Sequence, residues 1–239
     1  MALAIGSSAH AGTNLISNGG FELGPAQNAQ FGSGVGQGGQ TVTDWTGGGG
    51  YQIYFLGGKQ TTVSATSEYA GGQEYFHSSF NQLSSQGGNF VALDGDQGSP
   101  GHPGVQGSIS QTISGLEVGK AYTLTFDWAA GQLVNRNGPT TEQLQVTFGG
   151  QTLSTDILSI PDAGFSGWKT VSMVFTPTSD QQTLTFLSFG TPSGLPPMAA
   201  LDNVSLAVPE PAAWAMMLMG FGGLGAMIRR RNRAAMAAA

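Results

Sequence analysis

Few residues in this 239-residue sequence can carry chemistry. There is no cysteine, which excludes thiolate zinc sites, iron–sulfur clusters, disulfides and a cysteine nucleophile together. The histidines are His10, His77 and His102, far apart in sequence. Neither a Gly-x-Ser-x-Gly elbow nor a His-Glu-x-x-His pair occurs. Fourteen acidic residues allow many carboxylate pairs, yet spacing singles out none for the acid and base work of a glycosidase. Asp94-Gly-Asp96-Gln-Gly98 opens like a calcium loop. It lacks the next odd-position ligand and the distal glutamate, where Val105 stands, so it reads as a turn after a strand. Gly34, Gly36 and Gly39 satisfy Gly-x-Gly-x-x-Gly, but no strand leads in and no helix follows to hold a pyrophosphate. The sequence therefore points to a non-catalytic protein.

What remains is the chemistry of sugar recognition, in which rings stack on apolar sugar faces while amides and carboxylates bond hydroxyls. The aromatic candidates outside the alternating core are Tyr51, Tyr54, Tyr69 and Tyr75, with Gln52, Glu74 and His77 as polar neighbours. Arg136 is the one arginine ahead of the C-terminal cluster. Each aromatic, taken singly, suits packing better than ligand contact. Trp45, Trp128 and Trp168 are assigned to the core as large apolar residues on or beside strands.

The elements that must position these groups are strands. Tyr122, Leu124, Phe126 and Trp128 alternate with Thr123, Thr125 and Asp127, the period of a half-buried strand. Leu144, Val146 and Phe148 repeat the pattern, as do Val171, Met173 and Phe175. Residues 88–94, 107–113, 182–189 and 198–206 are further strands. Gly115–Gly119, Asn137–Pro139, Gly149-Gly150 and Pro177–Asp180 are turns between them. With 39 glycines and charged residues at only 9%, the body reads as an all-β antiparallel sandwich or jelly roll. Residues 1–208 hold four basic against thirteen acidic residues, a formal balance of -9. Such a body cannot neutralise a run of phosphates, so nucleic acid is not a partner.

The four remaining basic residues are Arg229, Arg230, Arg231 and Arg233. Before them, residues 212–228 (AAWAMMLMGFGGLGAMI) carry no charge. As a helix they would reach roughly 25 Å, a short transmembrane span. Arginines at one end leave the body outside the cytoplasm. Just ahead stand Pro209, Glu210 and Pro211, followed by Trp214 and Ala215. Together these resemble the PEP-CTERM sorting signal of Gram-negative bacteria, in its Pro-Glu-Pro-x-x-Trp-Ala form, over residues 208–233. Residues 234–239 form a short extra tail. The resemblance implies export through the inner membrane to the cell envelope, surface or extracellular matrix, with an exosortase as partner. At the other end, residues 1–11 include an Ala9-His10-Ala11 peptidase site. Without a charged start or a long apolar run, they read as a truncated signal peptide or as a frayed terminus.

The body, residues 12–207, carries a second resemblance. It opens with Asn14-Leu-Ile-Ser-Asn-Gly-Gly-Phe-Glu-Leu and closes with Ala200-Leu-Asp-Asn-Val-Ser-Leu206. Between these lie Phe90-Val-Ala-Leu-Asp94, Gly107-Ser-Ile-Ser-Gln-Thr-Ile113 and Gly119-Lys-Ala-Tyr-Thr-Leu-Thr-Phe126. This is similar to galactose-binding-like jelly rolls, which include carbohydrate-binding modules and a cell-wall domain of unknown function. In such folds the first and last strands lie side by side. The resemblance thus implies that Glu22 and Asp202 approach and hold a structural Ca²⁺, completed by Asn18 or Asn203. The alternative is that the two carboxylates cap turns and face solvent. Polysaccharide is the implied partner. The competing expectations are a structural matrix protein without sugar affinity and a hydrolase acting on the same polymers.

Overall fold

Alternation along residues 122–128 sets the frame. Tyr122, Leu124, Phe126 and Trp128 are buried, while Thr123 and Thr125 on the opposite face are half-exposed. The computed structural model describes residues 14–26, 29–31, 39–56, 62–63, 76–77, 87–99, 102–104, 106–134, 136–195 and 197–208. Asn14–Ala207 is one compact unit. The expected signal peptide, the Pro-Glu-Pro motif, the apolar span and the arginine cluster lie outside the described residues. Among the described residues no helix is long and apolar enough to cross a membrane.

The first eight strands are β1 (Ala29–Gln30), β2 (Thr46–Gly49), β3 (Gln52–Phe55), β4 (Thr62–Val63), β5 (Phe76–His77), β6 (Phe90–Asp94), β7 (Gly98–Ser99) and β8 (His102–Pro103). The longer ones follow: β9 (Gly107–Ser114), β10 (Tyr122–Gln132), β11 (Thr140–Phe148), β12 (Gln151–Ser154), β13 (Leu158–Ile160), β14 (Lys169–Phe175), β15 (Gln181–Thr191) and β16 (Pro197–Ala207). They form two principal antiparallel sheets, β1-β3-β6-β16-β10-β14 and β12-β11-β15-β9-β2, with β13 also on β11. Successive strands β9, β10 and β11 alternate between the sheets, as do β14, β15 and β16, which is the jelly-roll arrangement expected. The seven strands read from the sequence are all present.

The sheets meet through aromatic rings. Phe126 of β10 stands edge-on to Phe186 of β15 at 5.2 Å, and Phe148 of β11 does the same with Phe175 of β14 at 5.9 Å. Such edge-to-face pairs add to the burial that holds the layers. At one end the layers join directly, since Gly190 N donates to Gly95 O at 2.8 Å. A Cβ on Gly190 would collide with Pro197 and with the carbonyl of Thr141, so only glycine permits that closure.

The outer face of the first sheet is divided. Toward one end Ile53, Ala92, Ala129, Ala200 and Met198 form a second apolar cluster, sealed by Phe76 of β5 and flanked by Phe165 and Trp168. Trp168, assigned to the core from the sequence, is partly buried against this cluster on the outside of the sheet, edge-on to Phe90 at 5.5 Å. Toward the other end the same face is polar, carrying Thr125, Asp127 and Ser205.

Candidate functional site

The polar half of this face is organised by an irregularity. β10 and β16 pair regularly from Thr123↔Ala207 to Thr125↔Ser205, then slip so that Asp127 faces Asp202. A bulge of this kind bends the strand and re-aims side chains. Asn203 absorbs it with φ +52°, a left-handed backbone that few non-glycine residues adopt. The N-terminal segment lies beside β16, with Leu15 N donating to Leu206 O and Val204 N to Gly19 O, both at 2.9 Å. First and last segments are therefore neighbours, as expected. Asn18 and Phe21 in that segment also have positive φ, at 48° and 54°. Three strained residues gathered at one place mark a region that the surrounding structure holds by force, as functional sites often are.

Between the N-terminal segment and the bulge lies a cleft of about 410 Å³, lined by Asn14, Thr125, Asp127, Thr170, Asn203 and Ser205 among others. Its size falls within the ~300–1,000 Å³ of ligand sites. The carboxylate of Asp127, 3% exposed, accepts from Thr170 Oγ1 at 2.6 Å and from Asn203 Nδ2 at 2.8 Å. Asn14 Oδ1 accepts from Ile16 N and Leu206 N at 3.0 and 2.9 Å. Of these residues the sequence singles out only Asn203 as a candidate ligand. The signal was present in the face of β10 opposite the core, Thr123-x-Thr125-x-Asp127, where a strand places a carboxylate among hydroxyls.

The side chains of Glu22, Asp202 and Asn203 surround Gly20. A Cβ built on Gly20 would stand 4.0 Å from Glu22 Cγ, Asp202 Oδ1 and Asn203 Oδ1 alike. Asp202 is buried, and its Oδ1 accepts from Asn203 N at 2.7 Å. Glu22 Oε1 accepts from Asn89 N at 2.9 Å, and a side chain on Gly88 (φ +85°) would collide with it. Asn18 is engaged elsewhere: its Nδ2 donates to Leu23 O and Thr43 O, and its Oδ1 accepts from Leu23 N. Around Gly20 the side-chain oxygens are thus those of Asp202 and Asn203, while the Glu22 carboxylate is turned to Asn89. Among the described residues no cluster of three or more His, Asp or Glu side chains is close enough to hold a metal.

The sugar candidates separate. Tyr54 is 1% exposed, its ring lying against Gly24 and its hydroxyl accepting from Asn89 Nδ2 at 2.8 Å. Burial, with the Glu22 charge adding to it, pushes its phenol up to about 12. A ring so enclosed offers no face to a ligand, because β3 is covered on both sides. Tyr51 is half-buried just before β3, and its carbonyl accepts from Asp94 N at 3.0 Å. Gln52 is fully buried, donating to Gly48 O and Gly50 O. His77 and Arg136 are brought together, His77 Nε2 lying 3.1 Å from Arg136 O. The Arg136 charge acts on the buried Asp94, whose carboxyl is nonetheless raised to about 7, mainly by burial. Asp94 Oδ1 accepts from Asp96 N and Asp96 Oδ1 from Gly98 N, both at 2.8 Å, the local side-chain-to-backbone bonds of a turn. Tyr69, Glu74 and Tyr75 lie outside the described residues.

Comparisons with known proteins add the following. Similar solved structures include TmCBM61 in complex with beta-1,4-galactotriose, 16% identical over 82% of this chain and 99% of that one, TM-score 0.45. The CBM22-1 xylan-binding domain of Paenibacillus barcinonensis Xyn10C is 13% identical over 84% of this chain and 97% of that one, TM-score 0.35. The enzymatically active domain of the bacteriophage CBA120 tailspike protein 4 is 15% identical over 82% of this chain but 21% of that one, TM-score 0.36. No curated protein matches the chain. The model of the PEP-CTERM protein-sorting motif matches residues 207–231, so the tail carries a signal for export. The model described as "Protein of unknown function (DUF642)" matches residues 14–207, the whole sandwich, and the chain therefore belongs to the DUF642 family.

Proposed function

We propose that this is an exported protein, processed by an exosortase at its C-terminus, whose sandwich binds polysaccharide at the cell surface or in the extracellular matrix without catalysis. The observation that carries the binding half is the cleft over the bulge. It gathers amide, hydroxyl and carboxylate side chains on the outer face of a sheet, and these are the groups that bond sugar hydroxyls. Asp127 and Asp202 are both held as acceptors by neighbouring donors, which suits fixed recognition better than proton transfer. Tyr51 and Arg136 are candidate second contacts. The sorting motif supports the export half.

The test pairs two measurements on the protein from its native host. The intact mass is expected to show removal of the C-terminal segment near Pro209–Pro211. Affinity electrophoresis through the host's own exopolysaccharide is expected to retard the protein. A full-length mass overturns processing. Unretarded migration on every glycan, with self-association intact, favours a structural matrix protein instead.

A calcium ion at Glu22 and Asp202 belongs to the same proposal, supported by the two side chains and the Asn203 amide lying around Gly20. Calcium takes ~6–8 oxygens, so backbone carbonyls and water would complete the shell. The ion would offset the repulsion of the two carboxylates and pin the N-terminal segment to β16. Calorimetric melting in 1,000 Kd of calcium would be about 4 kcal/mol more stable than in EDTA, and superimposable melting curves reject the ion.

A further inference from the structure

We infer that the cleft over the β10–β16 bulge is a subsite for a neutral sugar residue and turns away uronate-bearing polymers. This rests on the polysaccharide reading above and specifies its ligand. The only ionic group lining the cleft among the described residues is Asp127, and none of them is a cation. Its carboxylate is almost fully buried, where charges are weakly screened and act strongly. A second carboxylate brought into the cleft would stand against a like group, with Asp202 paired to Asp127 across the bulge. Among the described residues that line the cleft, none supplies the bidentate guanidinium by which proteins recognise carboxylates. The formal -9 of residues 1–208 opposes a polyanion at longer range as well.

A neutral pyranose meets the opposite situation. Its hydroxyls are donors, and Asp127 is a fixed acceptor whose orientation is already set by Thr170 and Asn203. Thr125, Thr170 and Ser205 present hydroxyls that both donate and accept. Trp168 precedes Thr170 by two positions, the spacing of one strand face, and is half-buried against the outer apolar cluster. It lies outside the cleft lining, on the same strand face toward the apolar cluster.

The experiment is affinity electrophoresis of the full chain in neutral detergent through gels containing a neutral galactan, a neutral dextran or polygalacturonate, with Thr125→Val and Ser205→Ala beside the parent. Both variants keep side-chain volume near that of the parent on a half-exposed face, and circular dichroism melting confirms that they fold. Retardation by at least one neutral glycan, about tenfold weaker in each variant as expected for a lost hydrogen bond, and none by polygalacturonate, is the expected result. Retardation by polygalacturonate equal to or stronger than that by the neutral glycans overturns the inference while leaving the polysaccharide reading intact. Unchanged binding by both variants moves the site elsewhere and also overturns it. Free migration in all gels overturns the polysaccharide reading itself.

Discussion

Trp128→Ala is expected to cost about 3–5 kcal/mol of stability, the range for emptying a buried aromatic site. Trp128 is 1% exposed and belongs to the row that faces the second sheet, next to Phe126 and its edge-on partner Phe186. The neighbouring β-strands are tied to both sides of β10 through continuous pairing with β14 and β16, so they cannot collapse into the void. For a body of this size each kcal/mol moves Tm by about 2–4 °C, which places the expected fall at roughly 10 °C in a calorimetric scan. Trp168→Ala supplies the contrast. Its ring is half-buried on the outside of the same sheet, so less apolar area is lost and the expected fall is under about half as large. Equal losses from the two substitutions would contradict the placement of the two rings on opposite faces.

The comparison of these tryptophans marks where sequence ceases to determine structure. Period-two alternation located β10, β11 and β14–β16 because each has one face on the inter-sheet core, and burial follows the alternation closely in β11 and β15. A period of two implies that the other face is wet. Over β3, β6 and the start of β16 it is not: Ile53, Ala92 and Ala200 lie beneath Phe76, and all residues of β3 and β6 are buried. Nothing local announces that covering, which comes from distant chain. Tyr54 was therefore open to a reading as a sugar contact that its burial denies. The strands β12 and β13 escaped for the converse reason. They lie along the edge of β11, and all of β12 is exposed, so no apolar period exists to detect.

At the site, the family resemblance brings Glu22 and Asp202 to notice, and the side chains of both lie around Gly20. The cleft was not legible, because it depends on a one-residue slip between β10 and β16. Register is set by long-range pairing, and the residues that line the cleft are ordinary threonines, serines and asparagines. Only Asp127, a carboxylate in mid-strand where β propensity is poor, stands out against its context.

The largest pH effect should come from a second carboxyl that alternation alone positions. Glu142 shares its face with Leu144, Val146 and Phe148 and is fully buried between the sheets. Its Oε1 accepts from Thr140 Oγ1, while among the described residues Oε2 has no hydrogen-bond partner. Burial raises its carboxyl from 4.5 to about 8, against a smaller lowering by Thr140. The folded protein thus holds a proton there that the unfolded chain releases above its own, ordinary value. Stability from this group is complete below about pH 4.5, falls as pH rises, and is gone once pH passes about 8. At about 1.36 kcal/mol per unit, the loss is on the order of 5 kcal/mol. Asp94 acts in the same direction over a lower window, from 3.8 to about 7, with its ionised form helped by Asp96 N and Arg136. Glu142→Gln is a neutral isostere of the protonated acid and removes only the Glu142 part. In urea unfolding at pH 5 the variant is expected to match the parent within about 1 kcal/mol, and at pH 9 to exceed it by several. A variant no more stable than the parent at pH 9 would mean that Glu142 reaches water or a cation in the folded state, and that the interior end of the sandwich is open to solvent.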